Sequence, residues 1–190
     1  MNPQEIIDAE KKYIVQTYAR PPFVLTRGEG VHVYDSTGKK YLDMAAGIAV
    51  NALGYNDPDL VKAMQEAVAG LVHTSNLFYT ESQVKLAQAL VEKSFADKVF
   101  FANTGTEAME GAMKFARKYH VERGDTQRKN FVAFRGSFHG RSMGALAATD
   151  SEKYQVPFRP LMPGVTFANF NDLDSGRAAI TNETAAVIVE

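Results

Sequence analysis

The chain has 190 residues, a formal net charge of −1, no cysteine, 45% hydrophobic residues and 23% charged residues. These proportions are typical of a soluble globular protein, and they exclude disulfides, thiolate metal sites and a cysteine nucleophile. A net charge near zero provides no long-range field that favours nucleic acid or an anionic membrane. We therefore expect small molecules and other protein chains as partners, and a cytoplasmic location.

Three short strand-like runs near the start of the chain predict a small antiparallel meander. Turns with the sequences RGEG and DSTGKK separate the runs, which are Phe23 to Thr26, Val31 to Tyr34 and Tyr41 to Met44. Apolar residues with helical spacing follow. Asp57 and Pro58 are typical of a helix start, and the segment TESQVKLAQALVEKSF predicts a second helix.

Four short apolar runs without polar alternation occur in the rest of the chain, as expected for strands covered on both faces. They are Val99 to Ala102, Phe131 to Phe134, Val165 to Ala168 and Ala186 to Val189, and a helix is predicted from about Thr106 to Tyr119. The alternation predicts an α/β fold with a parallel-rich sheet and covering helices. Because an α/β domain should not stop at the end of a strand, we expect the fold to be incomplete.

The polar segment Asn103-Thr104-Gly105-Thr106, named the NTGT segment below, stands at the predicted strand-to-helix turn. Ligands bind α/β sheets at such turns, and the amides of a helix start can surround a phosphate. Thr104 and Glu107 also match a capping box, which explains the same residues without a ligand. Because a helix terminus stabilises an anion by only about 0.3–2 kcal/mol, a phosphate here requires further anchors.

The sequence GSFHGR, residues 136–141, follows the next predicted strand and supplies candidate anchors. The ring of Phe138 could stack on a flat heteroaromatic ligand, and Arg141 offers a planar fork for a carboxylate. The alternative is a core phenylalanine beside a satisfied histidine and a surface cation. The four histidines share no ligand spacing, so we expect no metal site.

Several segments, taken together and in order, resemble the class III, fold-type I pyridoxal-phosphate aminotransferases, in particular their acetylornithine and ornithine branch. The matching segments are RGEGVHVYDSTGKKYLDMAAGIAVNALGYNDP, HTSNLFYTESQVKLAQALVE, VFFANTGTEAMEGAMKFARKY, FRGSFHGRSMGALAAT and AAVIVE. The resemblance implies that residues 1–50 are the N-terminal segment of the family's small domain. Residues 51–190 would then be the first part of its large cofactor-binding domain.

The resemblance implies pyridoxal 5'-phosphate as the cofactor and gives roles to residues that match the family's motifs. Tyr18 matches an aromatic residue near the substrate, although a buried structural tyrosine is an equal alternative. No metal is implied. The implied roles are Thr104, Gly105 and Thr106 for the cofactor phosphate, Phe138 for the pyridine ring, His139 and Glu190 for other parts of the cofactor site, and Arg141 for a substrate carboxylate.

The activity implied by the resemblance is transamination of an ornithine-type amino acid, above all N-acetylornithine, with 2-oxoglutarate, in arginine biosynthesis and by a homodimer. The family's Schiff-base lysine comes beyond residue 190, so we expect no catalytic residue here and no activity from this portion alone. The alternatives are a 4-aminobutyrate or diamine aminotransferase of the same fold, or a truncated remnant that acts as an interaction module. The retention of Gly105, Phe138 and Arg141 together favours an enzyme.

Overall fold

The computed structural model describes every residue from 1 to 190, and the chain divides into two units, residues 1–80 and 81–190. The predicted meander is confirmed in the first unit as three antiparallel strands in the order β1-β2-β3. The strands are Leu25–Glu29, His32–Asp35 and Lys40–Leu42. The division after residue 50, into a segment of the small domain and the first part of the large cofactor-binding domain, stays a prediction.

A polar turn joins β2 to β3. One oxygen of Asp35 accepts hydrogen bonds from the Thr37 amide (2.8 Å), the Thr37 hydroxyl (2.7 Å) and the Lys39 amide (3.1 Å). The other oxygen accepts from the Tyr41 hydroxyl at 2.7 Å. These bonds, those from the hydroxyls of Thr37 and Tyr41 foremost, lower the pKa of Asp35 to about 2. Side-chain hydrogen bonds to Asp35 therefore hold the turn between β2 and β3.

Four helices precede the NTGT segment, and none of them contains a buried residue. The sequence analysis missed α1, although Asn2 and Glu5 form a reciprocal capping box at its start. The predicted start of α3 is confirmed, since Asp57 accepts from the Leu60 amide at 2.8 Å. The helices are α1 (Pro3–Tyr13), a short kinked α2 (Ala46–Ala49), α3 (Pro58–Ala69) and, in the second unit, α4 (Glu81–Glu92).

The second unit contains the predicted parallel sheet, in which β4 lies between β5 and β6. Its core joins Phe131 and Ala133 of β4 to Met113 and Ala148 on the helical side. None of the chain's α-helices has the length and apolar character needed to span a bilayer. The elements are α5 (Gly105–Glu122), β4 (Asn130–Phe134), α6 (Met143–Ala147), α7 (Glu152–Gln155), β5 (Val165–Ala168), α8 (Leu173–Ala179) and β6 (Thr184–Val187).

The strand predicted at Val99 to Ala102 is wrong, because these residues form no strand. A strand requires pairing with a neighbouring strand, and these residues pair with none of the strands β4 to β6. The segment packs on α5 instead. The ring of Phe100 meets that of Phe115 edge-on, with 5.2 Å between the ring centroids.

Candidate functional site

The NTGT segment begins α5 through a side-chain cap. The hydroxyl of Thr104 accepts from the Glu107 amide at 3.1 Å, as the capping box predicts. The Glu107 carboxylate reaches one residue further back than expected and accepts from the Asn103 amide at 2.8 Å. The cap therefore spans the whole segment and holds the helix start in place.

Two amides at this helix start remain directed away from the helix body. The first intrahelical bond of α5 runs from the Ala108 amide to the Thr104 carbonyl, so the amides of Gly105 and Thr106 precede it. A Cβ atom built on Gly105 would have no neighbour within 4 Å. The helix start thus combines free donors, a partial positive charge and open space, as an anion requires.

The GSFHGR sequence forms a loop, named the SFHGR loop below, that connects β4 to α6. Gly136 and Gly140 have φ angles of +80° and +134°, so both turns require the conformational freedom of glycine. The Gly136 amide donates to Asp150 at 2.9 Å, and the Ser137 hydroxyl donates to the Phe134 carbonyl at 2.6 Å. These bonds define the path of the loop.

The structure brings the NTGT segment and the SFHGR loop into contact. The backbone amide of Arg141 donates to the Thr106 hydroxyl at 3.2 Å. A Cβ atom at Gly140 would lie 2.0 Å from the same hydroxyl oxygen, so no larger residue fits there without displacing Thr106. This contact shows that the two motifs are neighbours in the fold.

Phe138 and Glu190 are also neighbours. The Phe138 amide donates to the Glu190 carboxylate at 2.7 Å, although 52 positions separate the two residues. The ring of Phe138 is 47% exposed, so it is not part of the core of this unit. Glu190 follows β6, and its carboxylate therefore places a negative charge at the base of the ring-bearing loop.

His139 is buried, with 8% of its surface exposed. Its backbone amide donates to the Thr149 hydroxyl at 2.9 Å, while its buried Nε2 atom has no hydrogen-bond partner. Burial lowers the pKa of His139 below its ordinary value of 6.5, and the negative charge of Glu190 opposes that shift. The alternative prediction, a histidine with all its hydrogen-bonding groups paired, therefore holds for the backbone amide of His139 but not for its ring.

The sequence analysis missed Glu110, which lies one turn after Thr106 on α5. Its Oε1 atom accepts from the Ser142 hydroxyl and from the amides of Gly144 and Ala145, both at 3.0 Å. The signal was present in the sequence, because residues four apart on a helix share a face. What the sequence could not indicate was that this face meets the start of α6.

Comparison with known proteins identifies the family. The sequence profile described as "Aminotransferase class-III" matches residues 13–190. The chain belongs to the class-III aminotransferases. It is 50% identical over 191 residues to a mitochondrial acetylornithine aminotransferase of Alnus glutinosa, a match that covers 98% of this chain and 42% of that protein. It is 50% identical over 184 residues to an acetylornithine aminotransferase of Archaeoglobus fulgidus, covering 97% and 48% of the two proteins.

A solved structure shares the fold of this class-III aminotransferase chain. The ornithine aminotransferase of Toxoplasma gondii superimposes with a TM-score of 0.90 at 25% identity, covering 98% of this chain and 44% of that one. That structure has partial occupancy of pyridoxal phosphate at its active site. The predicted fold-type I architecture is confirmed, and the chain spans about half the length of the relatives it matches.

The donor set of this class-III aminotransferase chain fits a cofactor with a phosphate and a flat ring. The open helix start at Gly105 and Thr106 has amide donors of the kind that a phosphate requires, and the exposed side chain of Phe138 offers an aromatic surface. The guanidinium of Arg141 lies over the ring of Tyr154, 5.3 Å from the centroid. Tyr18 lies in the first unit and is 58% exposed, so it is not a buried structural residue of that unit.

Proposed function

We propose that this chain is the N-terminal part of a pyridoxal-phosphate-dependent acetylornithine aminotransferase. The reaction proposed is transfer of the amino group of N-acetylornithine to 2-oxoglutarate, in arginine biosynthesis. The observation that carries the proposal is the bond from the Arg141 amide to the Thr106 hydroxyl, because it places the residue proposed for the carboxylate beside the helix start proposed for the phosphate. The names of the relatives at 50% identity support the choice of acetylornithine.

Thr104, Gly105 and Thr106 would bind the cofactor phosphate. The amides of Gly105 and Thr106 supply donors at the positive end of the α5 dipole. The hydroxyl of Thr106 accepts from the Arg141 amide, which leaves its own hydrogen for a phosphate oxygen. A single helix terminus contributes only about 0.3–2 kcal/mol, so the rest of the site must add to the affinity.

Phe138, His139 and Glu190 would surround the ring of the cofactor. The exposed face of Phe138 is available for stacking, which contributes about 0.5–1.5 kcal/mol beyond area burial. The bond from the Phe138 amide to Glu190 holds that ring at the carboxyl edge of the sheet. Bound pyridoxal phosphate would supply the electron sink for bond changes at the amino acid α-carbon.

Arg141 would bind a substrate carboxylate, and Tyr18 would lie near the substrate. A guanidinium pairs with a carboxylate through two parallel hydrogen bonds, which a lysine cannot reproduce. Charge-assisted bonds contribute about 1.5–3 kcal/mol each, enough to select acidic substrates over neutral ones. Both substrates of the proposed reaction carry a carboxylate, so the assignment is consistent with either half-reaction.

The remainder of the enzyme would come from residues after 190. We propose that they include the lysine that moves the proton, and that residues 1–190 alone do not transaminate. Residues 1–50 would belong to the small domain and 51–190 to the large one, within a cytoplasmic homodimer. The length of the matched relatives supports the expectation of further residues after 190, since the chain covers 42% and 48% of the two named above.

The test uses the complete purified protein and a panel of amino donors with 2-oxoglutarate as the acceptor. The expected result is pyridoxal-phosphate absorption and a preference for N-acetylornithine over ornithine, 4-aminobutyrate and diamines. A preference for 4-aminobutyrate or a diamine would replace the substrate assignment. A complete protein that retains no cofactor and converts no donor would refute the enzymatic function and favour an interaction module.

Two variants test the residue assignments. Arg141→Ala should raise the KM for 2-oxoglutarate by roughly tenfold or more, the loss of one charge-assisted pair, while cofactor retention stays near normal. Phe138→Ala should shift the cofactor absorption band and weaken cofactor retention. Unchanged substrate kinetics in the first variant, or an unchanged spectrum and retention in the second, would contradict the corresponding assignment.

A further inference from the structure

Thr106 and Glu110 lie one helical turn apart on α5, and both reach the segment where the SFHGR loop becomes α6. Thr106 accepts from the Arg141 amide at 3.2 Å. Glu110 accepts from the hydroxyl of the next residue, Ser142, and from the amides of Gly144 and Ala145 at 3.0 Å. Two consecutive residues of the chain are therefore tied to one face of α5.

Glu110 replaces the ordinary cap of α6. Ser142 occupies the N-cap position, where a serine hydroxyl commonly accepts from an amide of the first turn, but it makes no such bond. Its hydroxyl instead donates to Glu110, and the Glu110 carboxylate accepts hydrogen bonds from two amides in the first turn of α6. An ionised acceptor makes stronger hydrogen bonds than a neutral hydroxyl does, so α6 begins at a firmly held point.

We propose that Glu110 is a positioning residue for Arg141 in carboxylate binding. Arg141 lies between the tether from Thr106 and the tether that Glu110 makes to Ser142, so both flanks of its Cα are held by α5. The carboxylate of Glu110 does not touch the substrate. It holds the backbone from which the guanidinium extends, and the inference rests on the role proposed above for Arg141.

Gly144 provides a second way to disturb the same contact. A Cβ atom at Gly144 would lie 2.5 Å from Oε2 and 2.9 Å from the carboxyl carbon of Glu110. A methyl group there would displace the end of a flexible side chain without removing its charge. Gly144→Ala should therefore release the tether while Glu110 itself is retained.

The experiment measures the dissociation constant of glutarate, a dicarboxylate that cannot be transaminated, on the complete holoenzyme by calorimetry. Glu110→Ala should weaken glutarate binding by up to roughly tenfold, no more than the loss of the charge-assisted pair at Arg141. Gly144→Ala should also weaken glutarate binding. Glu110→Gln keeps an oxygen acceptor and should recover part of the affinity. Glu122→Ala is the matched control, since that carboxylate is exposed at the other end of α5.

A purely structural role is separated from positioning by combining Glu110→Ala with Arg141→Ala. If Glu110 acts through Arg141, the double variant should bind glutarate no more weakly than Arg141→Ala alone. Full additivity, or wild-type affinity in Glu110→Ala, would overturn the inference. If Glu110→Ala does not fold, Glu110→Gln and Gly144→Ala give the same test. A wild-type protein that transaminates no donor would refute the proposed function instead, independently of these affinities.

Discussion

The two sheets of this chain are held together by different interactions. In the antiparallel sheet of β1 to β3, Val33 is the one buried hydrophobic residue, and the turn depends on four hydrogen bonds to Asp35. In the parallel sheet, Phe131, Val132 and Ala133 of the central strand are each at most 1% exposed. The difference predicts that the parallel sheet is sensitive to lost apolar volume and the antiparallel sheet to lost charge.

The largest expected effect is on the parallel sheet. Phe131→Ala should lower the free energy of unfolding by about 3–5 kcal/mol, because it removes a buried ring and leaves a cavity. Amide hydrogen exchange should accelerate across β4, β5 and β6 and remain unchanged in β1 to β3. Equal acceleration in both sheets would show that the two regions unfold as one unit and would remove the contrast. Leu25→Ala, at an exposed strand position, provides the control.

A smaller effect is expected in the antiparallel sheet. Asp35→Asn removes a charge and one acceptor oxygen, so amide exchange at Thr37 and Lys39 should accelerate while β4 is unaffected. Because the pKa of Asp35 is lowered from 3.8 to about 2, its stabilisation is complete above pH 3.8 and is lost as the pH falls toward 2. The variant should therefore lack this acid-dependent step. An identical acid profile in wild type and variant would show that the turn does not depend on the carboxylate.

The smallest expected effect is a pH dependence in the parallel-sheet unit at milder acidity. Burial lowers the pKa of His139 below 6.5, so the unfolded chain binds the proton first as the pH falls. The contribution of His139 to stability is therefore fully present above about pH 6.5 and declines below it, at a higher pH than the protonation of Asp35. His139→Gln should flatten the decline below pH 6.5, measured by denaturation of the complete protein, with His73→Gln as the exposed control. A slope unchanged by His139→Gln would mean that another group causes it.

Local sequence patterns predicted most of the elements. The turns at RGEG and DSTGKK, the cap at Asp57 and the apolar run of β4 each depend on neighbouring residues, and each prediction is confirmed. The capping role of Thr104 was predicted for the same reason. The strand at 99 to 102 was wrong because a strand depends on a partner that no local pattern reveals.

The candidate site shows the same difference between what local sequence patterns predict and what tertiary contacts decide. The sequence by itself determined which residues are candidates for the proposed chemistry: donors at the start of α5, an aromatic ring and a guanidinium in the SFHGR loop. Only the tertiary structure decided that Thr106 meets Arg141, that Glu190 meets Phe138, and that Glu110 caps α6. These contacts join residues 32 to 52 positions apart, and no local periodicity specifies such pairs. They arise because packing α5 and β6 against β4 brings distant side chains to one edge of the sheet.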